Sequence, residues 1–232
     1  MTRPSALPVP PKTVERLGRY RWILEELESK GAHRVFSHEL AQRAGETSVL
    51  VRRDLMVIGS GGSPNRGYVV AELRSRIGGF LDGGGTHPIA LVGVGKLGQA
   101  LLDHFHGFRP SLQVVAAFDV APDMVGRVVG GTPVLELSEV TEVVRAESIR
   151  TAILTVPTWE AQGLTNRLVS AGVLSLLNFT KARLRVPEGV YVEAIDLSVS
   201  LEKTAFFGHR LAHPEPDVAT PTALERGGRG GH

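Results

Sequence analysis

Between Pro88 and Leu102 the chain passes from an apolar run to a helical pattern through the turn Gly93-Val94-Gly95-Lys96-Leu97-Gly98. Pro88-Ile89-Ala90-Leu91-Val92 reads as a buried strand, and Gln99-Ala100-Leu101-Leu102 as the body of a helix. Strand, tight turn and helix are the context in which G-x-G-x-x-G cradles a pyrophosphate. Glycines let the backbone come close to the phosphates, while the helix start supplies N–H donors and the positive end of a dipole. A second strand, Val114-Val115-Ala116-Ala117-Phe118, ends in Asp119, twenty-one residues after Gly98. An acid there binds ribose hydroxyls and repels a 2′-phosphate, which favours NAD(H) over NADP(H). The loop begins only after some eighty residues, so the segment before it needs a job of its own.

A length of 232 residues gives room for two modest domains. No apolar run is long enough to span a bilayer, and Met1-Thr2-Arg3-Pro4 does not open a signal-peptide pattern. With no cysteine there is no disulfide framework, thiolate zinc site or thiol switch. The chain reads as cytoplasmic, and any redox sensing has to run through a bound molecule. The net charge of +2 hides an asymmetry: residues 1–80 carry thirteen Lys/Arg against eight Asp/Glu, and residues 81–232 thirteen against sixteen. A basic first half points to an anionic partner.

Residues 1–12 read as a disordered arm, with four prolines by Pro11. Thr13 is placed to cap a helix that carries Val14, Leu17, Ile23, Leu24 and Leu27 on one face and stops at Gly31. A short helix from Ser37 to Ala44, a turn at Gly45-Glu46, and a helix from Ser48 to Ile58 capped by Thr47 form a helix-turn-helix pattern. Val51, Leu55 and Ile58 face the core of that pattern, whereas Arg52 and Arg53 project from the other side. Thr47, Ser48, Arg52 and Arg53 are therefore candidate DNA contacts. The glycine-rich stretch Gly59 to Gly67 before Tyr68 suggests a short hairpin, a wing with Arg66 at or near its tip.

After Gly83-Gly84-Gly85 the pattern alternates between strand and helix, which argues a parallel sheet flanked by helices. Thr151 to Pro157, Leu174 to Phe179 and Val190 to Asp196 read as strands, and Glu160 to Ala171 as a helix. Gly93, Asp119, Thr155, Val156, Pro157, Asn178, Phe179 and Asp196 fall at strand ends, where ligands of such sheets sit. An apolar helix, Ser198 to Leu211, follows and needs a partner surface. No acid, base and nucleophile stand at catalytic spacing, and the eight histidines are scattered without a metal-ligand pattern, so no enzyme activity is expected.

Several of these segments, in order, resemble the Rex family of NADH-responsive transcriptional repressors. They are Val51-Arg52-Arg53-Asp54-Leu55, Val92 to Gly98, Phe118-Asp119, Gly130-Gly131-Thr132-Pro133-Val134, Leu154 to Pro157, Leu177-Asn178-Phe179-Thr180 with Ala182-Arg183-Leu184, and Ile195-Asp196-Leu197. The resemblance runs from about Thr13 to Leu211. It implies an α/β chain with a winged helix-turn-helix domain at 13–80 and a Rossmann-type NAD(H)-binding domain at 81–196. A helix exchanged between subunits of a homodimer follows at 197–211, then a disordered tail at 212–232. It further implies that the dimer binds a palindromic operator in double-stranded DNA when NAD+ is abundant, and that NADH releases it.

The chain departs from the family pattern at Met56-Val57-Ile58-Gly59, where Ser-Tyr-Phe-Gly is usual, and in the wing. Lys96 stands in the glycine loop where Asn or Arg is usual, and His104 near a common tyrosine. Two other readings accompany the repressor. One is an NAD-dependent dehydrogenase with an appended helical domain; the other is a Rex-like protein with altered or lost operator recognition.

Overall fold

The computed structural model describes residues 9–62 and 66–213. Most of the expected arm, the expected tail beyond His213 and wing residues 63–65 lie outside them. The chain divides into two compact units, one ending at Ala194 and the other beginning at Ile195.

The first unit opens with α1 (Pro11–Ser29), β1 (Arg34–Val35), α2 (Ser37–Ala44), α3 (Ser48–Val57), β2 (Tyr68–Val69) and α4 (Val70–Asp82). Leu17, Tyr20, Leu24, Leu40, Val51, Leu55, Leu73 and Ile77 make one core among these helices. Helix α1 starts two residues before the expected cap, inside the expected arm. Pro11 sits in the first turn, where its fixed φ suits a helix and its missing N–H costs nothing. Thr13 is consequently buried within the helix instead of capping it. Gly45, at φ 70°, ends α2, and the Thr47 hydroxyl accepts the Leu50 N–H at 3.2 Å to start α3.

The wing differs from the expected local hairpin. Strand β2 pairs antiparallel with β1 far upstream, at Val35↔Tyr68 and Arg34↔Val69, and not with the segment just after α3. Helix α4 was not legible as an element, and it carries the first folded segment past residue 80 to Asp82.

Next come β3 (His87–Val92), α5 (Lys96–Phe105), β4 (Leu112–Asp119), β5 (Val128–Val129), β6 (Thr132–Glu136), α6 (Val140–Ala146), β7 (Thr151–Leu154), α7 (Thr158–Ala171), β8 (Ser175–Asn178) and β9 (Tyr191–Ala194). The strands lie in the order β5-β6-β4-β3-β7-β8-β9, all parallel except the edge pair β5/β6. The order in which successive strands are added reverses between β3 and β7, the place where doubly wound sheets open a ligand crevice. One face packs Val92, Phe118, Leu154, Leu168 and Leu176 together, and the other Leu91, Val94, Leu102, Ala117 and Ile153.

Strand β7 stops at Leu154, so Thr155, Val156 and Pro157 form the loop into α7 and are not part of the strand. Pro157 lacks the N–H a further ladder bond would need. Strand β9 likewise ends at Ala194, two residues short of Asp196. In the second unit Asp196 caps α8 (Leu197–Ala212), its carboxylate accepting the Val199 N–H at 3.0 Å. Every residue of α8 is exposed, including Leu197, Leu201, Phe206, Phe207 and Leu211.

Candidate functional site

The glycine loop is held from three directions. Gly93 takes φ 98°, a value that L side chains rarely adopt, and its N–H donates to the Phe118 carbonyl at 2.8 Å. Thr155 braces it from the loop after β7: the hydroxyl donates to the Gly93 carbonyl at 2.6 Å, and the Thr155 N–H to the Val92 carbonyl at 2.9 Å. A side chain on Gly98 would overlap the Gly93 carbonyl oxygen, so α5 can start this close to β3 only with glycine there. Gly95 is different. A Cβ on it would meet nothing within 4 Å, so its bare α-carbon faces open space at the N-terminus of α5.

Asp119 has more to do than the sequence suggested. One carboxylate oxygen accepts the Val94 N–H inside the glycine loop, and the other accepts the N–H groups of Val120 and Ala121 at 2.8 and 2.9 Å. The side chain thus ties the end of β4 to the loop after β3. A carboxylate offers about four acceptor positions, so one remains for a ligand hydroxyl. Together, Gly95 facing space, the first-turn N–H groups of Lys96, Leu97 and Gly98, and Asp119 make a cradle that fits a dinucleotide.

The other candidates divide. Val156 packs half-buried against the core and Pro157 is the exposed cap of α7. Leu97 is partly exposed and Lys96 exposed on the first turn of α5. Asn178 is buried and committed to its own loop. Its amide donates to the Ala182 carbonyl at 3.0 Å, and its oxygen accepts the N–H and hydroxyl of Thr180 at 2.9 and 2.7 Å. Phe179 packs half-buried against the core face that holds Val94. Trp159 is exposed just beyond the crevice loop.

The helix-turn-helix surface presents Arg52 and Arg53, both exposed on α3, with Ser48 half-buried at its first residue. The Arg52 guanidinium donates to the Ser37 hydroxyl at 3.1 Å, which holds it over the start of α2. Ser37 is the first residue of that helix and not its cap, because Phe36 takes the cap position with its N–H donated to Glu39 at 2.7 Å. Arg66 is exposed beside the wing, and its carbonyl accepts from Arg34 at 2.8 Å. Arg34, Arg66 and Arg76 line a cavity of about 300 Å³ at the wing base. Sequence reading passed over Arg34 and Arg76, which come from separate elements.

Asp54 was also missed as a functional residue. It is buried under α3 and accepts two hydrogen bonds from Arg16 of α1, at 2.6 and 2.7 Å, and one from the Tyr20 hydroxyl at 3.1 Å. The Asp54 partner raises the pKa of Arg16, and burial followed by the same carboxylate pushes the Tyr20 hydroxyl up. A carboxylate between core residues Val51 and Leu55 was the available signal, since a buried charge demands a partner.

Two family models match the chain, one described as "CoA binding domain" over residues 85–182 and one as "Putative DNA-binding protein N-terminus" over residues 8–55. A protein of Anoxybacillus flavithermus named redox-sensing transcriptional repressor Rex is 42% identical over 199 residues, covering 86% of this chain and 93% of its own. The chain belongs to the Rex family of redox-sensing transcriptional repressors. The Rex of Bacillus subtilis is 38% identical over 86% of this chain and 92% of its own. Among solved structures, the Rex-family repressor RSP in complex with β-NAD+ and operator DNA superposes with a TM-score of 0.80 at 31% identity, over 88% of this chain and 94% of its own. RSP in complex with β-NADH gives 0.77 at 30%, over 88% and 96%.

Proposed function

We propose that this Rex-family chain binds operator DNA as a homodimer, senses the NADH/NAD+ balance through its glycine cradle and leaves the operator when NADH binds. The observation that carries the reading is the pairing, in one chain, of a cradle with Gly95 open to a ligand and an arginine-bearing recognition helix. RSP structures with NAD+ plus operator DNA and with NADH support it, as do relatives named repressors and not dehydrogenases. No enzyme activity belongs to this reading, and its place of action is the cytoplasm, where DNA and the nicotinamide pool meet.

Lys96, Leu97 and Gly98 direct N–H groups and the dipole of α5 at the pyrophosphate, and Lys96 adds a cation. Asp119 takes the adenosine ribose. The nicotinamide supplies the redox signal, being positively charged when oxidised and neutral when reduced. Phe179 and the apolar face behind it accept a neutral ring more readily than a cation, whose desolvation is costly. Contacts common to both forms leave the conformational equilibrium untouched, so the switch has to come from this end of the crevice. Leu197, Leu201, Phe206, Phe207 and Leu211 give α8 the apolar surface that a second subunit would cover. Among the described residues no helix is long and apolar enough to cross a membrane.

At the DNA surface, Arg52→Ala and Arg53→Ala should each cost about 1–3 kcal/mol where the residue reads a base. Gel shifts on the protein's own upstream region check this, with NADH affinity expected to stay unchanged. Operator affinity unaltered in both variants would remove α3 from the interface.

NADH should bind better than NADPH, because a 2′-phosphate meets the Asp119 carboxylate. Asp119→Ala should narrow that preference. It should also weaken both ligands, since the Val94 N–H loses its acceptor. Calorimetry giving equal affinities for the two ligands in the unaltered protein contradicts the role of Asp119.

A further inference from the structure

Four charged side chains in the first unit belong neither to the glycine cradle nor to the helix-turn-helix surface. Arg21 and Glu25 lie one turn apart on α1, Asp82 ends α4, and Arg109 stands between α5 and β4. They form a continuous alternating network. Arg21 grips Asp82 with two bonds of 2.8 and 2.9 Å, and Arg109 grips Glu25 with two of 2.7 and 3.2 Å. The Arg21 Nε lies 3.6 Å from Glu25 and joins the pairs. All four side chains are less than a third exposed. Arg109 also lies 5.1 Å from the centre of the Phe108 ring. The paired arginines hold the Glu25 and Asp82 carboxyls below their ordinary range.

The place of this network in the fold matters more than its strength. The covalent link between α4 and β3 is rich in glycine, Gly83-Gly84-Gly85, and such links transmit little orientation. Arg109–Glu25 spans the same two parts without relying on it, while Arg21–Asp82 fixes the end of α4, where the link begins, to α1. The Asp82 carbonyl accepts the His87 Nε2 at 2.8 Å, and His87 is the first residue of β3, whose other end leads into Gly93. Helix α5 starts at the cradle and ends at Phe105, four residues before Arg109. On the other side, α1 holds the recognition helix through Arg16 and Asp54.

We propose that Arg109–Glu25 and Arg21–Asp82 are positioning residues of the redox response, fixing α1 to the strand and helix that frame the glycine loop. Two-pronged arginine–carboxylate pairs set orientation as well as distance, which transmission of a small movement requires. Coupling between two sites is a free energy carried by an element that both sites bias. This inference rests on the function proposed above.

The test is operator affinity with and without saturating NADH, in the unaltered protein and in Arg109→Gln, Glu25→Gln and Arg109→Lys. Arg109→Gln leaves Glu25 beside Arg21, so no carboxylate is stranded. Each of the two Gln variants should bind NADH alone and operator alone about as well as the unaltered protein. The ratio of operator affinities without and with NADH should fall about fivefold or more. By reciprocity, the effect of operator on NADH affinity should fall by the same factor, which a loss of stability alone does not produce. Arg109→Lys, which keeps the charge but not the fork, should retain part of the ratio, and it carries the test if Arg109→Gln loses its fold. An undiminished ratio in Glu25→Gln and in whichever Arg109 variant folds overturns the proposal alone. An unaltered protein that NADH fails to release overturns the functional reading and this inference with it.

Discussion

Asp54→Ala is expected to destabilise the N-terminal helices by about 3–5 kcal/mol, because it strands a largely buried arginine. Asp54 accepts both prongs of Arg16 and the Tyr20 hydroxyl, and its side chain is 3% exposed against 15% for Arg16. Removing the carboxylate leaves a guanidinium and a phenol without their acceptor in the core between α1 and α3. Operator binding should disappear with the local structure, although Arg52 and Arg53 are untouched. Tyr20→Phe, which removes only one bond to a charged acceptor, should cost about 1.5–3 kcal/mol. Replacing both Arg16 and Asp54 by leucine or methionine should restore much of the loss, since a well-packed apolar pair often equals a buried ion pair. Urea unfolding of the three variants measures these differences. If Asp54→Ala unfolds with the unaltered midpoint, the account of how α3 is anchored is wrong.

The second large effect separates two glycines of one loop. Gly98→Ala should lose NADH binding and also cost about 1–3 kcal/mol of stability, as overpacking does, because its Cβ overlaps the Gly93 carbonyl and presses on Thr155. Gly95→Ala should keep or slightly raise stability: the residue has φ −69° and ψ −170°, open to alanine, with no atom near the added methyl. Its NADH affinity should nevertheless fall, because the methyl takes the space through which a pyrophosphate approaches the backbone. Calorimetry alongside thermal unfolding checks both. Undiminished NADH affinity in Gly95→Ala would mean that the open side of the loop does not face the ligand.

Much of this fold was legible because local pattern and tertiary role coincide. The glycine loop, β3, β4 and the Thr47 cap each have one physical reading, and the residues around them agree with it. The elements missed are those whose local signal is weak. Helix α4 carries two consecutive glycines, Gly78-Gly79, in a segment only half apolar, and packing against α1 holds it in place. Strands β1, β2 and β5 are two residues each, too short for an alternating pattern, and β1 and β2 pair across a long separation.

Around the glycine loop, strand ends were legible as positions, and the bonds their side chains make were not. Asp119 was read as a ligand group, and the structure shows it as the tie that holds Val94; nothing in a strand-end acid announces its backbone partners. Asn178 looked like a crevice residue because it ends a strand, yet its polar atoms serve Thr180 and Ala182. Asp196 appeared to end a strand because Val190 to Asp196 alternates, but it caps the following helix. Ion pairs across tens of residues, such as Glu25 with Arg109, leave no spacing to read.

The central claim is that one chain couples a reduced nicotinamide at the cradle to release of DNA by α3. Its most direct test is fluorescence anisotropy of labelled operator DNA titrated with the protein, once with saturating NAD+ and once with saturating NADH. The account predicts tight binding with NAD+ and an affinity lower by about fivefold or more with NADH. Equal operator affinity under the two ligands, with both shown to be bound, would contradict it.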